Sequence, residues 1–379
     1  MSKIICIVSH KFTTQPDDDL VQFLNLKGGY TVLHIRHSFS DAKHRKSFAS
    51  LYLGGRETKT TESSDLKKYP EPVVYLRELL FTVKSVTSLK GKPDTYIGMD
   101  GLCVLFGLFL RFFGKVSKVV YWTIDFVPER RFKSRLLDFI YKTVNAVGYK
   151  QADEMWDLSP RMAEAREKYI GFDRNKYKKH KVVPFGVWVD RVKKYSYQEC
   201  DQNTIVFMGH LLEKQGVQLI LKLLPDLVKV RPDIHFKVIG GGLYQETLLN
   251  LACDLGVEKY CSFLGKMEKH EELEIEVAKC CVAVAPYIKK LDTWTYFADP
   301  GKVKTYLGCG VPVLLTDIPW NAREIEKNKC GLIISENPPD IQSKILKLME
   351  PKTNQLYRDN ALLYAKTFNY ATIFKTLQL

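Results

Sequence analysis

Four things are missing from this chain of 379 residues, and each absence narrows what it can be. No two of its nine cysteines form a C-x-x-C pair, their number is odd, and several sit inside apolar runs. That usage excludes a disulfide framework, offers no readable zinc spacing, and fits a reducing compartment. No apolar run is long enough to cross a bilayer. The longest, Gly101 to Phe113, contains Arg111 and falls short of the roughly 20 residues required. No leader is expected, because Met1 to Val8 runs straight into a strand-like segment. Finally, no glycine-rich turn follows that first segment, where Val8-Ser9-His10-Lys11 stands instead.

What is present is a soluble balance of 45% hydrophobic and 26% charged residues, enough for two domains with their own cores. The net charge of +14 is uneven. Residues 1–200 hold 35 of the 57 Lys and Arg against 22 of the 43 Asp and Glu, whereas residues 201–379 are almost neutral. A basic first half predicts a polyanionic partner such as an anionic membrane surface. No nucleic-acid-binding motif accompanies the charge, so no nucleic acid partner is expected.

β-rich runs alternate with helical ones throughout. In the first half the strand candidates are Lys3–Val8, Tyr30–His34, Thr95–Gly98, Lys118–Thr123, Glu154–Leu158 and His180–Pro184. In the second they are Thr204–Met208, His235–Ile239, Cys261–Phe263, Cys281–Ala285, Pro312–Thr316 and Gly331–Ile334. The pattern predicts two doubly wound α/β domains, residues 1–190 and 200–355, joined by a linker within Trp188–Asn203. The terminal helical segment, about 360–379, is expected to pack back on the first domain. Lys43–Tyr69 reads as a loop, and Asp17-Asp18-Asp19 as a solvated helix start rather than a cation site.

The second half carries the chemistry. One strand ends in Gly209-His210-Leu211-Leu212-Glu213-Lys214-Gln215-Gly216, another in Gly240-Gly241-Gly242, a third in Pro286-Tyr287. Asp299-Pro300-Gly301-Lys302 then opens a helix, followed by Gly310-Val311-Pro312-Val313. Small residues between strand and helix let the backbone approach a ligand, and helix N-termini present unpaired N–H groups that suit phosphate. His210, Lys214 and Lys302 can add charged donors. Each turn taken alone is an ordinary one; their order is what points to a diphosphate.

That order resembles the C-terminal domain of glycosyltransferase family 4 enzymes (glycosyl transferases group 1) of the GT-B architecture, in which two Rossmann-like domains face each other across a cleft. The resemblance rests on the Gly209–Gly216 segment, the Gly240–Gly242 turn, Phe263-Leu264-Gly265, Ala285-Pro286-Tyr287 and, most specifically, Asp299 to Leu307 followed by Gly310-Val311-Pro312-Val313. It implies transfer of a sugar from a nucleotide-diphosphate donor, with retention and without metal or other cofactor, to a lipid-linked or surface-glycan acceptor. Donor contacts are expected from Gly209, Gly240, Gly241, Tyr287, Gly301, Lys302 and Thr305. Catalytic roles would fall to His210, Lys214, Asp299 and Asp125, although Asp125 would equally suit a turn cap before Pro128.

Two departures from the family pattern bear on activity. Of its paired glutamates, the second position holds Thr305, and the first falls on Phe297, two residues before Asp299. Alternatives are therefore a non-catalytic scaffold that binds nucleotide sugar or a partner, and a nucleotide-sugar epimerase. On the acceptor side, Arg111, Arg130, Arg131 and Lys133 lie near aromatic residues. They suggest a peripheral protein on the cytoplasmic face of a membrane, though Leu105–Phe113 would also suit a buried helix.

Overall fold

The computed structural model describes residues 2–11, 16–40, 42–124, 131–173, 175, 179–291 and 294–379. Asp125 and Arg130 lie outside the described residues, as does part of the basic run 174–181. The chain separates into two compact units, Met1–Pro184 with Phe374–Leu379, and Phe185–Ile373.

Among the described residues of the first unit, one sheet contains β1 (Lys3–Lys11), β2 (Tyr30–Ser38), β3 (Ser47–Leu53), β4 (Arg56–Glu62), β5 (Thr95–Gly98), β6 (Lys118–Thr123), β7 (Glu154–Asp157) and β8 (His180–Val182). Their order is β4-β3-β2-β1-β5-β6-β7-β8. β1, β2 and β5 to β8 run parallel. The connecting helices are α1 (Pro16–Lys27), α2 (Glu71–Thr87), α3 (Gly101–Phe112), α4 (Arg135–Gln151) and α5 (Pro160–Ile170). β1 carries the unbroken apolar run Ile4–Val8 and β6 the run Val119–Trp122, as strands covered on both faces of a parallel sheet do.

The segment read as a loop at Lys43–Tyr69 contains instead an antiparallel hairpin, β3 and β4, added to the edge of the sheet. Its turn is Gly54-Gly55, with φ of +56° and +79°. Both angles belong to the left-handed region, the geometry of a two-residue hairpin turn that follows the strand twist. β4, Arg-Glu-Thr-Lys-Thr-Thr-Glu, is exposed at every position, so no apolar alternation announces it. Asp17 also departs from expectation. It is fully buried, accepts a hydrogen bond from Ser9 Oγ at 2.8 Å, and pairs with His34 Nε2 at 2.9 Å.

The second unit has a wholly parallel sheet of β9 (Asp201–Met208), β10 (His235–Ile239), β11 (Cys261–Phe263), β12 (Cys280–Ala285), β13 (Val313–Leu315) and β14 (Gly331–Ile333). Its order, β11-β10-β9-β12-β13-β14, reverses direction between β9 and β12. The helices are α6 (Val217–Val230), α7 (Gln245–Asp254), α8 (His270–Ala278), α9 (Gly301–Gly308), α10 (Ala322–Lys327), α11 (Pro338–Leu348) and α12 (Pro351–Ala365), then α13 (Tyr370–Lys375) at the boundary. Ile205, Phe207, Val238 and Val284 of the strands pack with Ile220 and Leu224 of α6 in a single core.

The polar stretch expected as a linker lies within this second unit. Tyr370 N donates to Val187 O at 3.0 Å, Arg358 Nε to Tyr195 O at 2.8 Å, and Tyr197 Oη to Met349 O at 3.2 Å. These bonds fix a segment with little apolar character. The chain end returns to the first unit over a shorter span than 360–379. There the Phe374 ring meets Phe23 and Trp122, and Leu379 O accepts from Lys3 Nζ at 3.1 Å. All nine cysteines are free thiols.

Candidate functional site

The switch between β9 and β12 is where doubly wound sheets open a ligand crevice at the strand C-termini, and the sequence motifs of the second unit converge there. Gly209 follows β9 with φ +135°, and Gly240 follows β10 with φ +139°. A Cβ on Gly240 would stand 1.9 Å from Gly209 O, so the two turns touch backbone to backbone. Leu211 N donates to Gly241 O at 3.0 Å and Gly240 N to Gly265 O at 2.8 Å, locking neighbouring turns together. Gly241 is different, since a Cβ there would meet nothing closer than Gln245 Oε1 at 3.6 Å.

Lys302, in the first turn of α9, reaches back over this platform. A Cβ on Gly209 would lie 2.8 Å from Lys302 Nζ. The ammonium donates to Gln215 Oε1 at 2.5 Å and rests 4.2 Å from the centre of the Phe207 ring and 5.2 Å from that of Tyr287. Pro300 gives α9 no side-chain cap, and Val303 N donates to Pro300 O at 3.2 Å in the first turn. His210 is exposed beside Gly209, and Lys214 lies over the Trp294 ring at 5.3 Å. Gly209, His210, Lys214, Gly240, Gly241, Tyr287, Gly301 and Lys302 are thus carried by turns at the ends of β9, β10 and β12 and by the start of α9. Gln215 and Trp294, which position two of the lysines, had no sequence signal beyond their neighbours.

Asp299, expected among the catalytic residues, is buried. Its carboxylate is 2% exposed and already surrounded. Oδ2 accepts from Phe185 N at 2.7 Å and pairs with Lys304 Nζ, while Oδ1 accepts from Trp320 Nε1 at 2.8 Å. Burial pulls Lys304 below the usual lysine range, and Asp299 offsets this only in part. The pair holds the start of α9 against its surroundings, and no oxygen faces outward to serve a substrate. Thr305 is buried too, with its hydroxyl donating to Gly301 O at 3.3 Å within its own helix. Tyr306, of the same motif, ties α9 to β9 by accepting from Met208 N at 2.7 Å.

Residues 192–362 match the model of the family described as glycosyl transferases group 1. The match falls within the second unit. The chain shares 35% identity over 146 residues with a GDP-mannose-dependent alpha-(1-6)-phosphatidylinositol monomannoside mannosyltransferase of Mycolicibacterium smegmatis, or 37% of this chain and 36% of that protein. The chain therefore spans about a third of that relative's length. Across both units the fold is GT-B. Sucrose-phosphate synthase of Thermosynechococcus elongatus superposes with a TM-score of 0.75 at 14% identity, covering 99% of this chain and 97% of that one. HepE of Anabaena, solved with UDP, gives 0.67 at 14%, covering 99% and 98%.

The expected acceptor-side residues divide. Arg111 is a structural tie, donating from Nη1 to Asp153 Oδ2 at 2.5 Å and from Nη2 to Gln151 O at 2.8 Å. Arg131 lies over the Tyr141 ring at 5.1 Å, and Lys133 is exposed. The sequence pattern predicts a helix over Lys133–Tyr149, and α4 stands there, but its apolar side chains were not singled out. Its Leu136 and Phe139 are each 67% exposed and Ile140 is exposed beside them, while Phe112 at the end of α3 is 84% exposed. Lys133 and Arg135 lie next to these apolar residues in the chain. Among the described residues, no helix is long and apolar enough to cross a membrane.

Proposed function

We propose that this protein transfers a sugar from a nucleotide-diphosphate donor to a lipid-linked or surface-glycan acceptor, retaining the anomeric configuration, while resting on the cytoplasmic face of an anionic membrane. The observation that carries the reading is the ammonium of Lys302 held above the abutting Gly209 and Gly240 turns at the N-terminus of α9. In this reading the diphosphate sits on those turns. Lys302, Lys214, His210 and the α9 amides stabilise the charge that develops as the anomeric C–O bond breaks, a term worth about 10²–10³ in rate per donor elsewhere. The acceptor oxygen bonds to the same carbon, and no metal or further cofactor is invoked at the phosphates.

The mannosyltransferase relative makes a GDP-sugar the first donor to try, with UDP-sugars second because HepE was solved with UDP. Membrane residence draws support from basic residues beside exposed Leu136, Phe139 and Phe112, a combination suited to an anionic interface.

The test is thermal unfolding against GDP-, UDP-, ADP- and CMP-sugars and the free nucleotides. A ligand at 100 times its Kd adds about 2.7 kcal/mol of stability. Stabilisation by one nucleotide, followed by transfer of labelled sugar to a lipid extract, supports the reading. Thr305, whose hydroxyl is spent on its own helix, favours a second one: a scaffold that binds nucleotide without turnover. Binding without transfer or hydrolysis would select it.

A further inference from the structure

The first sheet has its own switch point, between β1 and β5, and the end of β1 there carries Ser9-His10-Lys11. Three groups from distant parts of the chain meet at His10. Its Nδ1 lies 2.8 Å from Asp100 Oδ2 and 3.4 Å from Cys103 Sγ, and its Nε2 lies 3.1 Å from Glu78 Oε2. Asp100 caps α3 through Cys103 N at 2.9 Å, so those two ligands are fixed on one rigid turn. Glu78, on α2, is 1% exposed. His37 packs against His10 with ring centroids 5.3 Å apart and the rings tilted by 43°, its nitrogens facing Ser47 Oγ at 2.8 Å and Thr82 Oγ1 at 3.1 Å.

We propose that His10 Nδ1, Asp100 and Cys103 bind one zinc ion, with Glu78 orienting the imidazole from its other side. The donor atoms lie within 4.8 Å of one another. Imidazole, thiolate and carboxylate together suit zinc rather than magnesium or calcium. A carboxylate on the far nitrogen of a ligating histidine fixes its tautomer and raises its basicity.

Three protein ligands leave a fourth position for water or another oxygen ligand. This site is built wholly from residues of the first unit and does not depend on the sugar-transfer reading. No spacing in the sequence signals it, because residues 10, 100 and 103 meet only through the β1–β5 pairing.

The test uses the full chain, stripped with a chelator and titrated with Co²⁺. The expected result is one ion per chain with a thiolate-to-cobalt absorption band that Zn²⁺ removes. The band disappears in Cys103→Ala and persists in a Cys253→Ser control, which alters an exposed thiol. Glu78→Gln binds about 10–100-fold more weakly. Thermal unfolding verifies that each variant is folded, and Cys103→Ser substitutes if the alanine variant is not. A band that survives loss of the Cys103 thiol overturns the assignment, as does native protein that takes up neither ion.

Discussion

Replacing Asp299 by Asn separates a structural residue from a catalytic one. The buried carboxylate holds Lys304 Nζ, Phe185 N and Trp320 Nε1 at once. Asparagine presents one acceptor oxygen and an N–H₂ group, so the Lys304 ammonium, itself 2% exposed, loses its counter-charge. Breaking a buried pair from one side costs about 3–5 kcal/mol. In a unit of this size each kcal/mol moves the unfolding midpoint by about 2–4 °C, which gives a fall of about 6–20 °C. The loss also has a pH signature. Without Asp299, folded Lys304 has its pKa depressed further, so the unfolded state binds more protons and the variant gains stability as pH rises towards the free lysine value of about 10.4. Asp299→Asn/Lys304→Met, which removes both charges, should recover much of the midpoint. The assay is thermal and urea unfolding from pH 6 to about pH 10, with turnover measured per folded molecule. An unchanged midpoint together with lost turnover would refute the structural assignment and return Asp299 to the catalytic set.

Lys302→Ala should weaken GDP or UDP binding by about 1.5–3 kcal/mol, or roughly 10- to 150-fold, by titration calorimetry on a folded protein; unchanged affinity removes Lys302 from the site. Gly240→Ala should cost about 3 kcal/mol or more in urea unfolding, because its Cβ would stand 1.9 Å from Gly209 O at φ +139°, whereas Gly241→Ala should stay within about 1 kcal/mol. Equal costs would mean the two turns do not abut. At low pH the first unit should be sensitive at Asp157, which is buried between Arg166, with Nη1 at 2.7 Å, and His180 Nε2 at 2.6 Å. Burial opposes its ionisation, but the Arg166 charge and the His180 and Arg166 hydrogen bonds outweigh it and hold its pKa below the usual value. That stabilisation is present above the unfolded pKa of about 3.9 and is lost as pH falls below it through the lower folded value. Asp157→Asn should abolish this part of the acid slope, and a slope that persists would assign acid sensitivity elsewhere.

The alternation of apolar strands with amphipathic helices was enough, by itself, to set the fold class of both halves. Strand order along a doubly wound sheet follows from short right-handed crossovers, so the pattern constrains it strongly. The turns at Gly209 and Gly240 were legible for the same reason, since they follow strand ends directly in the chain. Elsewhere local sequence and tertiary context diverged. β4 has no buried face and so leaves no period to read, while Trp188 to Asn203 looks like a linker until long-range backbone bonds hold it. The burial of Asp299 and its pairing with Lys304 are invisible in one dimension. The gathering of Glu78, Asp100 and Cys103 around His10 was equally hidden. Contacts between residues up to 93 positions apart are made by strand pairing and helix packing, and only the tertiary structure decides which side chains those bring together.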